Sequence, residues 1–273
     1  MWNPVKIYRL SKAIMDRGYK DTLQHYDESD DAANEVVELY GEMLFPFVFY
    51  TGWKLRRTEA GRNILNGVRD KSEEYQLKHY IPKMVDGEYL DSLAPNTVGA
   101  HYKHLIDQWS FEELYKDRFK AMPKDNFVQR RRANFSRHIF LSHDFWHCIF
   151  RYDTSPLGEA CIQAITHQYS KFIGPWYMSY LIAYKHFKLT ASWDAFKVIR
   201  EAHRIGAAAK RDLYEMNFDT LLEMDIEEVR AMYNVQAPTE FYRFAKDWPD
   251  SFRFDCIHPE YNDTKVTYTE ATI

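Results

Sequence analysis

Apolar residues recur along most of the chain at the i, i+3, i+4, i+7 spacing of one helix face. In ANEVVELYGEML they fall at positions 36, 37, 40, 43 and 44. NILNGVRDKSEEYQLKHY, KHLIDQWSFEELYKDRF, SWDAFKVIREAHRIGAAAKRDLY and FDTLLEMDIEEVRAMY continue in the same style. In the last of these, Asp219 or Asp225 offers an oxygen to cap a helix start, and the acidic residues that follow suit the helix dipole. Strand-like alternation is scarce. KVTYTEATI at the end is its best instance, and it reads equally as an edge strand or a loose tail. The pattern predicts an all-α fold, a multi-helix single domain over residues 1–235. Residues 236–273 differ: Pro238, Pro249 and Pro259 stand among turn formers and rings. They are expected to form an irregular C-terminal extension wrapping the helical body.

The two greasiest runs are 43–50 (MLFPFVFY) and 172–184 (FIGPWYMSYLIAY). Proline interrupts both, and neither reaches the ~18 apolar residues of a membrane span. Both are expected as buried or membrane-facing helix segments.

The chemistry concentrates in 143–159, HDFWHCIFRYDTSPLGE. His143 and His147 are four apart, so on a helix both imidazoles can point at one ion. Tyr152 to Gly158 reads as a turn, because Ser155-Pro156 breaks a helix and Gly158 loosens the chain. Glu159 then opens the next helix. Two antiparallel helices joined by this short loop would return Glu159 towards the histidines. Two nitrogens and one or two carboxylates suit a divalent ion and leave positions open for substrate or water. Asp144 lies about 100° round an ideal helix from His143. It can ligate directly or through water, or it can orient a histidine; spacing leaves these alternatives open.

HDxxH followed eleven residues later by Glu resembles the signature of the ubiquinone-biosynthesis family called coenzyme Q protein four. Here it is His143, Asp144, His147 and Glu159. VELYGEML (37–44), RTEAGRNIL (57–65), LAPNTVGAHYKHLI (93–106) and YEMNFDTLLEMDIEEVRAMYNV (214–235) resemble other family segments in the same order. The chain departs from the pattern with Thr58 in place of the usual proline, and it lacks the two tryptophans of the closing segment. The resemblance runs from Glu35 to Val235. It implies that all four motif residues ligate a metal, with Asp144 and Glu159 catalytic. The expected cofactor is a divalent ion, zinc foremost, with iron, manganese or magnesium as alternatives.

The family likeness implies a metal-dependent decarboxylase (a lyase) that acts on a prenylated hydroxybenzoate and hydroxylates C1 as the carboxyl leaves. The other reading is a non-catalytic scaffold that binds prenyl lipid and organises quinone-biosynthesis enzymes. Expected partners are a prenylated aromatic or isoprenoid lipid, other proteins of the pathway, a membrane surface held peripherally, and a second copy in a homodimer. The expected location is cytoplasmic or peripheral on the inner membrane, the matrix side in a eukaryote. A histidine–aspartate phosphohydrolase fits poorly, because His147 and Glu159 fall at the wrong spacing for one.

Composition adds limits. The net charge of −4 gives no global attraction to nucleic acid or anionic lipid. Three cysteines, Cys148, Cys161 and Cys256, have no paired spacing, which suggests a reducing compartment. The N-terminus lacks the apolar stretch of about 7–15 residues that marks a secretory signal. With 18 Phe, 20 Tyr and 7 Trp, the chain has rings enough to fill a core and to wall a pocket for a flat or greasy ligand. Phe145, Trp146 and Cys148 are expected to pack, as is His138. Arg130, Arg131 and Arg132 read as a solvated helix start, with a phosphate contact as the sharper alternative. Tyr177, Tyr180 and Tyr184 share helical spacing and read as core. Lys171 and Lys185-His186 bracket the greasy segment and are placed at a membrane interface.

Overall fold

The structure is a computed structural model. It describes residues 83–84, 86–107, 142–171, 173–209, 216 and 218–245, with a few isolated positions before residue 63. These residues are helical with short connections, as the patterning predicts. Helices α1 (Gly87–Asp91) and α2 (Val98–Asp107) lead to a helical run at 142–150, α3. Then follow α4 (Pro156–Ser170), α5 (Ile173–Thr190), α6 (Asp194–Ala208), α7 (Phe218–Leu221), α8 (Ile226–Tyr233) and α9 (Thr239–Ala245).

The central element is α4, which packs most extensively against α5 and α6. Its small residues suit that place. Gly158, Ala160, Cys161, Ala164 and Ser170 are buried along with Leu157, Ile162 and Ile165, so this helix has apolar neighbours nearly all round. The α4 and α6 backbones approach closely at Gly206, where a Cβ would meet the Ile165 Cα at 3.1 Å.

LAPNTVG has a local reason. Val98 N–H donates to the Met224 carbonyl (3.0 Å), Gly99 N–H to Leu222 (2.9 Å), and Ile226 N–H to Asn96 (2.9 Å). This lacing joins the start of α2 to the start of α8. A Cβ at Gly99 would stand 2.9 Å from the Leu222 carbonyl oxygen. Of the two expected capping residues, Asp225 caps α8, accepting from Glu227 N–H (2.8 Å) and Glu228 N–H (3.2 Å), whereas Asp219 lies inside α7.

Three expectations change. The irregular extension proposed from residue 236 holds a helix, α9, docked by a buried carboxylate on α6. Glu201 accepts from Thr239 Oγ1 (2.8 Å), Glu240 N–H (2.9 Å) and Phe241 N–H (3.2 Å), which supplies the cap α9 needs. The tyrosines of α5 are not core: Tyr184 is exposed, and Tyr177 and Tyr180 are half-buried. The buried face of α5 consists of Gly174, Pro175, Met178, Ser179, Ile182, Ala183 and His186. His186 therefore lies inside the body and not at an interface. Pro175 falls in the first turn, where no intrahelical N–H is required, so it does not break the segment. Residues 43–50, 130–132, His138, Cys256 and 246–273, with the strand-like tail, lie outside the described residues. No helix among the described residues is long and apolar enough to cross a membrane.

Candidate metal centre

The two histidines sit one turn apart on α3, where the i, i+4 spacing places them. The helix ends at Arg151, which takes a left-handed conformation (φ 61°). The loop that follows is compact and buried through Tyr152, Asp153, Thr154 and Ser155. Asp153 Oδ1 accepts from the Ser155 N–H (2.9 Å) and from its hydroxyl. Ser155 Oγ in turn accepts from Gly158 N–H (3.1 Å) as the N-cap of α4. Helix α4 thus begins at Pro156, three residues before the expected start at Glu159. By residue type alone Ser155-Pro156 reads as a breaker and Gly158 as slack. Both belong to a helix start: serine at the N-cap and proline at the first helical position. Gly158 is also tight. A Cβ there would stand 1.9 Å from the Asp153 carbonyl oxygen.

This turn folds α4 back onto α3 and brings Glu159 to the histidines. His143 Nε2 lies 3.0 Å from Glu159 Oε2 and 3.3 Å from His147 Nε2, and His147 Nε2 lies 3.5 Å from Glu159 Oε1. Among the described residues, His143, His147 and Glu159 form a group able to hold a metal ion, with ligand atoms within 4.8 Å of one another. The spacing suits the chemistry. Ligand atoms around a tetrahedral ion with bonds of about 2.0–2.1 Å stand about 3.3 Å apart.

His147 is oriented by its other nitrogen. Nδ1 lies 3.1 Å from the Tyr152 carbonyl. A carbonyl only accepts, so Nδ1 carries the proton and the Nε2 lone pair faces the group. The His147 side chain is 1% exposed and that of His143 27%, so the centre opens on the His143 side. Burial alone would push the Glu159 carboxyl up. The neighbouring His147 and His143 outweigh this and hold it well below the usual carboxylate range. Burial opposes charge on His143, yet Glu159, with a smaller contribution from Asp144, raises its pKa above the ordinary value.

Asp144 is half-buried beside His143 and stands outside the converging group. Phe145, Trp146 and Cys148 are buried in the core, as expected. Sequence reasoning missed two supports. One is the Tyr152 carbonyl, a main-chain atom with no residue-type signal. The other is Arg230 on α8, 3% exposed. It donates to the carbonyls of Cys148 (2.7 Å) and Ile149 (3.0 Å), at the last turn of α3.

Residues 35–239 match the family described as coenzyme Q (ubiquinone) biosynthesis protein Coq4. The chain belongs to this family. The Coq4 match covers α1 to α8 and the first residue of α9. Among solved structures, the chain resembles a candidate ubiquinone biosynthesis protein from Nostoc punctiforme. Identity is 14%, with 87% of this chain and 100% of that chain covered and a TM-score of 0.51. At that identity the likeness speaks for the fold. No curated protein matches.

Proposed function

We propose that this Coq4-family chain is a metal-dependent enzyme of ubiquinone-type quinone biosynthesis. It removes the C1 carboxyl of a prenylated hydroxybenzoate and hydroxylates that carbon. The observation that supports this is the convergence of His143, His147 and Glu159 on one point that opens to one side. His143, His147 and Glu159 would hold a divalent ion there, zinc foremost and iron, manganese or magnesium as alternatives, and it would supply a Lewis acid for the ring carboxylate. His147, fixed by Tyr152, and the ionised Glu159 hold that charge in place. Asp144, close to His143 but outside the group, takes the phenolic proton. The carboxyl carbon leaves as CO₂ and oxygen from O₂ fills C1. Two electrons and two protons from an external reductant release the second oxygen atom as water.

Carbon-labelled carboxylate tests the reading. Metal-loaded protein releases label from a prenylated hydroxybenzoate, and Glu159→Gln, similar in size but uncharged, abolishes most of the release while the fold persists. A carboxyl-methylated substrate does not react. If metal-loaded wild-type protein releases no label yet binds prenyl lipid, the second reading replaces the first: a scaffold that gathers quinone-pathway enzymes at a membrane. That reading draws on the exposed apolar side chains of α5, Ile173, Trp176, Tyr184 and Leu189, and on Trp193 three residues beyond its end.

A further inference from the structure

On another face of α4, towards its C-terminal end, lies a cavity of about 700 Å³ between α4, α5, α6 and α9. His167 lines it, eight residues after Glu159, or about 12 Å along the helix axis at 1.5 Å per residue. It is therefore separate from the metal centre.

Trp176 and Tyr180 form its aromatic wall, with ring centroids 4.8 Å apart, and Tyr180 stacks on His203 at 5.8 Å. Lys197, Arg200 and Arg204 of α6 supply three cations, against one carboxylate, Glu240, among the described lining residues. Asp194 partners Lys197 at 3.0 Å. Arg200 and Arg204, one turn apart, are exposed, and no carboxylate among the described residues forms an ion pair with either. Like charges one turn apart repel, and the chain as a whole is acidic.

A second observation concerns His203. Lys171 Nζ donates to Gln168 Oε1 (3.4 Å), which turns the amide nitrogen towards His203 Nδ1, 2.9 Å away. Nδ1 then accepts, so a neutral ring carries its proton on Nε2. That nitrogen is closed to solvent and the ring also bonds the Ala164 backbone, so His203 forms part of the cavity floor and is not an open donor. Burial, and then the charge of His167, push His203 down to about 4, with the nearby Ala164 carbonyl a partial offset, so the ring is neutral at neutral pH. The cavity thus combines two guanidinium groups with no carboxylate partner among the described residues, a neutral imidazole in its floor and an aromatic wall. Guanidinium forks match phosphate oxygens in geometry as well as charge.

We propose that this cavity binds a phosphate monoester, with the phosphate between Arg200 and Arg204 and the rest of the ligand along Trp176 and Tyr180. The phosphate can belong to a free small molecule or to a lipid headgroup.

Inorganic phosphate, tested in a non-phosphate buffer at constant ionic strength, raises the Tm of the full chain. The rise is lost in Arg200→Ala/Arg204→Ala. In a parallel arm, vesicles of phosphatidylcholine doped with phosphatidic acid bind more protein than vesicles of phosphatidylcholine alone, and the double variant loses that preference. A response to phosphate identifies a free ligand, and a response to phosphatidic acid alone identifies a headgroup. In either arm the double variant binds about tenfold more weakly or worse, as expected for lost charge-assisted bonds. Both arginines are exposed, so the variant's own Tm and metal content stay at wild-type values. If neither probe binds, or the double variant binds as well as wild type, the proposal is wrong.

Discussion

Gly158 meets the carbonyl oxygen of Asp153 so closely that a Cβ on it would stand 1.9 Å away. The contact is with main chain, so no rotamer change relieves it. This close approach lets α4 start immediately after the buried loop and turn Glu159 towards α3. Gly158→Ala is therefore expected to cost about 3 kcal/mol of stability and to lower metal content. Thermal unfolding and elemental analysis check both. A variant with wild-type Tm and full metal would show that the turn tolerates a side chain.

Purified protein is expected to carry about one divalent ion per chain, and His143→Ala/His147→Ala to carry none. Stoichiometric metal in the double variant would remove the site assignment.

Acid is expected to expel the ion, because a protonated imidazole cannot ligate. Because the pKa of His143 is raised above the ordinary imidazole value of about 6.5, metal content starts to fall above that pH as the solution is acidified. Metal-free protein behaves differently. Its Glu159, with depressed pKa, contributes stability that is present above the unfolded value of about 4.3 and is lost as pH falls through the folded one. Its His143, with raised pKa, contributes stability that is present below about 6.5 and is lost as pH rises through the folded one. The pair therefore supports metal-free protein best between those unfolded values, and added metal moves the optimum to higher pH. Unfolding midpoints against pH, with and without chelator, distinguish the two curves.

The helical periodicity was legible in the sequence because each helix has to bury a stripe. The approach of His143, His147 and Glu159 was legible because an i, i+4 pair and a short return loop are local geometry. The start of α4 was not. Ser155, Pro156 and Gly158 are all turn formers by type. Only the hydrogen bonds of Asp153 and the packing of Gly158 show that the turn is a cap and that the helix begins within it. The tyrosines of α5 misled for a related reason. Tyr177, Tyr180 and Tyr184 share a face, but spacing alone does not say whether that face points inward. The residues that fill the inner face, such as Gly174, Ser179 and Ala183, carry little hydrophobic signal. Arg230 could not be read at all, since its partners are carbonyls some 80 positions away.

Arg230 leads to a prediction about positioning. It is buried and bonds two carbonyls of α3 as well as Glu227 (2.6 Å). Arg230→Met keeps apolar bulk but removes the charged donor from those carbonyls and from Glu227, at an expected cost of about 3 kcal/mol. Arg230→Lys does not rescue, because one ammonium cannot reproduce the planar fork. Metal binding weakens in both, since the last turn of α3 also carries His147. Unchanged metal affinity in a folded Arg230→Met protein would limit Arg230 to stability alone.

The last prediction concerns the exposed apolar side chains on and just beyond α5. Trp176 is 40% exposed, Tyr184 47% and Leu189 62%, with Trp193 at 60% just beyond the helix. Rings that leave water for the interfacial layer of a bilayer gain free energy by apolar burial, which salt does not screen. If this face holds a membrane surface, binding to neutral phosphatidylcholine vesicles survives molar salt, and Leu189→Ser/Trp193→Ser weakens it at every salt concentration. The Arg200→Ala/Arg204→Ala variant keeps this salt-resistant part and loses only the added preference for phosphatidic acid. Release of wild-type protein from neutral vesicles by salt alone would mean that charge provides the attachment and that these rings serve another contact.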